Sequence, residues 1–175
     1  MDPDADPADA PPEEPVPKRT LITARAETQA AVLDAIGAAT RRVLCIHADL
    51  SIFELARPEA VERLLSFLLA HRNARVKLLV DDTNWLDTRA ARLRALQRRF
   101  PLALELREAS SDDPVGDDAT LIADDSTVLD LQPIAQARGH LWLNNKPHVQ
   151  PLVSAFSRRW EAAAHNLPVV PLGLG

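Results

Sequence analysis

The chain has 175 residues, 46% of them hydrophobic and 26% charged, with a formal net charge of −5. That is enough chain for one domain with a sizeable core, and the mixed charge excludes a strongly basic nucleic-acid binder. The acidity is local: six of the 25 acidic residues, and no base, lie in "MDPDADPADAPPEEPVP" (1–17), leaving 19 acids against 20 bases elsewhere.

The same opening segment holds six prolines and a single branched aliphatic, Val16. It cannot bury enough apolar surface to offset its ordering entropy, so residues 1–18 are expected to form a disordered acidic tail. It lacks the basic start and apolar stretch of a signal peptide. No later apolar run approaches the roughly 18–20 residues of a membrane span; "LLSFLLA" (64–70) is the most notable. The lone Cys45 rules out an internal disulfide, and the cytoplasm is the expected compartment.

In chain order, "RTLIT" (19–23) reads as a short strand. Thr23 then caps a helix near 24–39 that turns Val32, Leu33 and Ile36 to the core. "VLCIH" (43–47) is a second strand, and Pro58 opens a helix running to about His71. "VKLLVDD" (76–82) is a buried strand ending in two carboxylates, followed by a helix over 88–100 that Pro101 stops. "LALELRE" (102–108) alternates as a strand does, and the polar loop "ASSDDPVGDD" leads into a hairpin, "DDATLIADDSTVLDL" (117–131). "GHLWL" (139–143) is a further strand, and the last helix, from about Pro147 to Ala163, carries the stripe Val149, Leu152, Val153, Phe156, Trp160. Residues 19–165 thus read as one α/β domain, a mixed and mostly parallel sheet flanked by helices, with 166–175 as an irregular C-terminal tail.

Two surface features bear on partners. Val61, Leu64, Leu65 and Leu68 form the core stripe of the second helix, while Phe67 and Leu69 fall on opposite flanks outside it. A helix apolar nearly all round needs a second partner, which makes a homodimer one expectation. Arg89, Arg92, Arg94, Arg98 and Arg99 crowd the third helix without forming one face, the pattern of a solvated surface whose stems cover apolar area.

His47, Asp49, Asp81 and Asp82 follow predicted strands, where open α/β sheets gather ligand sites. A histidine with several carboxylates could hold a divalent cation. The same residues also suit loop and helix capping, and with no metal-binding motif no cofactor or metal is assigned.

The element order, with paired strands before a final helix, resembles one repeat of the phospholipase D superfamily. The catalytic hairpin of that family carries His-x-Lys-x4-Asp followed by Gly-Ser-x-Asn. Placing its aspartate on Asp124 puts Asp117 at the nucleophilic histidine and Ala119 at the lysine that neutralises the phosphoryl oxygens. The Gly-Ser-x-Asn positions fall near Leu131, Gln132 and Ile134. Further pieces, among them "LIADDSTV", "LQPIAQARGHLWLNN" and "PLVSAFSRRWEAA", are similar to an uncharacterised bacterial phospholipase D-like domain often fused behind a GNAT-type acetyltransferase. The resemblance implies a single degenerate repeat whose His-Lys-Asp set is missing. The expected function is therefore a non-catalytic binding or regulatory module of unknown ligand. The alternatives are a phosphoryl-substrate hydrolase built on the His47, Asp49, Asp81 and Asp82 group, or an accessory partner of an acetyltransferase.

Overall fold

A computed structural model describes residues 11–132 and 138–163 of the chain. Residues 11–17 carry no regular element and are exposed, and the C-terminal tail expected over 166–175 lies outside the described residues. The body runs β1 (Lys18–Ile22), α1 (Arg25–Ala38), β2 (Arg42–Ile46), a 3-10 turn (Ser51–Phe53) and α2 (Pro58–Ala70). It continues through β3 (Arg75–Val80), α3 (Asn84–Arg89), α4 (Ala91–Arg99), β4 (Leu104–Glu108), β5 (Thr120–Ala123), β6 (Thr127–Gln132), β7 (Arg138–Leu143) and α5 (Lys146–Ala162). Among the described residues no helix is long and apolar enough to cross a membrane.

The seven strands make one sheet in the order β1-β7-β6-β5-β2-β3-β4. The α/β class and the mixed sheet are as expected, but the balance is not. Only β2–β3 and β3–β4 pair in parallel; β2–β5, β5–β6, β6–β7 and β1–β7 are antiparallel. Parallel neighbours need a crossover, and among the described residues α2 and the α3–α4 segment supply the two helical ones that join adjacent strands. β5 enters beside β2 from the opposite direction, and the following strands then pair as an antiparallel meander.

Among the described residues α1, α2 and α4 cover one face of the sheet and α5 covers the other. Both faces of the central strands are therefore buried. Val43 and Cys45 point to the three-helix side and Leu44 and Ile46 to the α5 side, which is why "VLCI" is apolar without alternation. Burial pushes the Cys45 thiol up, leaving it an inert core group. The exposed edge β1 carries Lys18 and Arg19, charges that suit an unpaired edge. Lys18 pairs with Leu143, so the folded body begins one residue before the expected boundary.

Three other local expectations change. The N-cap of α1 is Ala24, not Thr23; Glu27 reaches back to accept from the Thr23 amide (2.7 Å) and the Ala24 amide (3.2 Å). The helix expected over 88–100 is two helices. Asp82 Oδ1 accepts from Asn84 N at 2.9 Å and starts α3 early, while Ala90 leaves helical backbone values and separates α3 from α4. Finally, the buried stripe of α2 is Ala60, Leu64, Phe67 and Leu68, with Val61 and Leu65 at its margin. Phe67 is 4% exposed and packs within its own chain, because α2 is wedged between α1 and α4 as well as facing the sheet. Leu69 alone of the two flanking residues stays at the surface.

Candidate functional site

Each end of the sheet is shaped by one carboxylate that gathers backbone amides. At the end where β2 begins, the β5–β6 hairpin turns through Asp124, Asp125 and Ser126. Asp124 sits at φ 57°, a left-handed position that aspartate tolerates better than most residues. Its carboxylate accepts from Thr40 N (3.0 Å), Thr40 Oγ1 (3.1 Å), Arg41 N (2.8 Å) and Arg42 N (3.0 Å). Partial burial opposes ionisation, but these donors outweigh it and hold the carboxyl below its ordinary value. Asp124 thus clasps the α1–β2 loop to the hairpin.

At the opposite end, where β2 and β3 finish, Asp81 accepts from Val115 N (2.7 Å) and Gly116 N (3.2 Å), and so orders the long 109–119 loop. Gly116 has φ 61°, with open space where a side chain would stand. From α5, Arg159 donates to both oxygens of Asp113, to the Pro114 carbonyl (2.6 Å) and to Asp118. The acids of this loop therefore staple it to the last helix.

His47, Asp49 and Asp81 gather at this end, while Asp82 turns to cap α3. His47 Nδ1 accepts from Leu50 N at 3.0 Å, which places the neutral ring's proton on Nε2; if protonated, Nδ1 faces Asp49 Oδ1 at 3.1 Å. Burial pulls His47 below its ordinary value, against Asp49 and Asp81. Asp49 Oδ1 is already taken by the Ser51 amide (2.9 Å) and hydroxyl (2.6 Å). Each of these carboxylates therefore holds a turn. Among the described residues no group of three His, Cys, Asp or Glu side chains could hold a metal ion.

Asp117 lies exposed ahead of β5, and Ala119 is 1% exposed in the core. Leu131 is buried and Gln132 is at the surface; position 134 lies outside the described residues. Close to Asp117 is a polar group that pattern reading missed. Thr120 Oγ1 donates to Asp130 Oδ1 at 3.3 Å, and Asp130 pairs across the sheet with His140. Crowding by the surrounding protein, with Asp118 adding to it, pushes the Asp130 carboxyl up, while Thr120, His148 and His140 pull it down. His148 lies against Trp142 with ring centroids 4.2 Å apart and the rings tilted by 30°, and its Nε2 is buried without a partner among the described residues. The signal was the acid interrupting "TVLDLQ", a period-2 strand whose same-face neighbour across the sheet is histidine. The group sets a carboxyl near two imidazoles, and the neighbouring Arg159 is committed to Asp113 and Asp118.

The fold has close counterparts. A phospholipase D family member, Nuc from Salmonella typhimurium, superposes with a TM-score of 0.64 at 18% identity over 86% of this chain and 98% of its own. NucT from Helicobacter pylori gives 0.60 at 11% identity, over 86% of this chain and 99% of that one. TrmBL2, an archaeal chromatin protein described with a novel mode of DNA binding, gives 0.63 at 17% identity over 87% of this chain, which spans 56% of its length. At these identities the likeness establishes a phospholipase D-like fold. No curated protein matches the chain. The sequence pattern of the domain of unknown function DUF7931 matches residues 24–168, and the chain belongs to that family.

Proposed function

We propose that the chain is a non-catalytic, phospholipase D-like binding module. The observation that carries this reading is the content of the hairpin. The position implied for the nucleophile is an exposed Asp117, the position implied for the lysine is a buried Ala119, and Asp124 is occupied by four donors. At these positions the hairpin offers a carboxylate and a methyl group, where phosphodiester catalysis needs a nucleophile and preorganised donors. Removing even one such donor costs an enzyme about 3–4 kcal/mol of transition-state stabilisation. The hydrolase alternative through His47, Asp49, Asp81 and Asp82 is weakened by the amides those carboxylates already hold.

The test has two arms. Bis-p-nitrophenyl phosphate and single-stranded DNA, each with added metal or with chelator, should show no turnover. A thermal-shift screen of small anions and cations should raise the melting midpoint for a binder without any product forming. Turnover that persists in chelator and disappears in Asp130→Asn would defeat the proposal.

A further inference from the structure

α5 divides its face of the sheet. Its first turn meets the β5–β6 turn, through Asn145 N to Ser126 O (2.8 Å) and Lys146 to Asp125 (3.4 Å). Its last turn reaches β3 and β4, where Trp160 lies against Lys77 (5.2 Å from the ring centroid) and Arg107 (4.5 Å). On the side away from Asp130, between α5 and the first residues of β2 and β3, is a cavity of about 350 Å³. Arg41, Arg42, Arg75 and Lys77 supply its charge, and Leu44, Phe156 and Trp160 its apolar wall.

The charges in this cavity do not cancel. Its acids are Asp125 and Glu161, and Asp125 is already shared by Arg41 (3.3 Å) and Lys146 (3.4 Å). Arg42 donates to the Asp124 carbonyl (3.2 Å) and Arg75 to the Ala74 carbonyl (2.8 Å). Among the described residues Arg75 and Lys77 have no carboxylate within ion-pair distance. Arg42 and Arg75 also stand directly opposite each other in the β2–β3 register, where like charges destabilise a sheet. A like-charged pair beside a cavity is the kind of local conflict that functional sites carry.

We propose that this cavity binds a small phosphomonoester carrying an apolar or planar group. Four lining cations against two lining acids leave an excess of two, which suits a dianion, and a phosphomonoester is one above its second pKa of about 6. Guanidinium forks match phosphate oxygens in pairs. The cavity is at the small end of the range of about 300–1,000 Å³ for ligand sites, and its apolar wall suits the remainder of the molecule. The site lies beside the hairpin's turn at Asp125, at the far end of the sheet from Asp117 and Asp130, so it is distinct from the position implied for the nucleophile. It names a ligand class for the binding module and rests on that reading for its biological sense; phosphodiesterase activity would sink the reading, whereas the titrations below judge the site.

Phenyl phosphate, inorganic phosphate and benzyl alcohol are titrated calorimetrically into the full chain at pH 7.5 and low salt. Phenyl phosphate should bind, inorganic phosphate more weakly, and benzyl alcohol not at all. Arg75→Gln and Lys77→Gln should each weaken phenyl phosphate by about tenfold, the scale of one charge-assisted hydrogen bond. Arg75 is exposed, so its variant keeps the fold, as circular dichroism would confirm, even if Lys77→Gln loosens Trp160. Failure of phenyl phosphate to bind, or undiminished binding in a folded Arg75→Gln, overturns the site. Single-stranded DNA binding more tightly than phenyl phosphate, and lost in the same variants, also overturns it, by assigning the cations to a nucleic-acid surface.

Discussion

Replacing Asp124 by alanine should destabilise the protein by about 3 kcal/mol, and acid should narrow that difference. The carboxylate accepts four hydrogen bonds from Thr40, Arg41 and Arg42. Bonds to a charged acceptor are worth roughly 1.5–3 kcal/mol each when buried. This site is only partly buried, so water can replace several of them and the sum is far from additive. Removing the side chain also places alanine at φ 57°, a conformation that costs an ordinary residue about 1 kcal/mol. A net loss of about 3 kcal/mol corresponds to a melting midpoint lower by about 6–12 °C in a domain of this size. The Asp124 carboxyl is held below its unfolded value, so its contribution is complete above an unfolded pKa of about 3.9 and fades as pH falls through the folded one. Urea unfolding of wild type and Asp124→Ala at pH 7 and pH 3 measures both effects. A variant as stable as wild type at pH 7, or a deficit undiminished at pH 3, would refute the clasp.

Trp160→Ala should cost about 3–5 kcal/mol, because the ring is 2% exposed between Phe156 and the sheet cations; a near-normal melting midpoint would contradict that packing. Phe67→Glu should unfold the chain and not merely dissociate an oligomer, since Phe67 is buried within it; a folded monomer by sedimentation and circular dichroism would show otherwise. Gly139→Ala should be among the most damaging single-atom additions. Its Cβ would stand 2.0 Å from the Asp130 carbonyl oxygen and 2.9 Å from Leu131 Cα, backbone that cannot yield without breaking the β6–β7 pairing. Soluble protein with an unshifted midpoint would overturn this.

The local chemistry of the sequence was sufficient for much of this architecture. Apolar runs without alternation marked β2 and β3 as buried on both faces, Pro58 marked the start of α2, and the stripe ending in Trp160 marked the buried side of α5. These features repeat at the period of the element that carries them, so neighbouring residues suffice to reveal them. What tertiary structure alone decided were the contacts between residues far apart in sequence. The direction of β5 beside β2 set the balance of parallel and antiparallel strands. Phe67 became core only because α1 and α4 close on a flank of α2 that one helical wheel leaves empty. Asp124 meets residues 40–42 across more than eighty positions, and Arg42 meets Arg75 only through strand register. Periodicity reports which face of an element is apolar; which charges share a cavity depends on how the sheet is assembled.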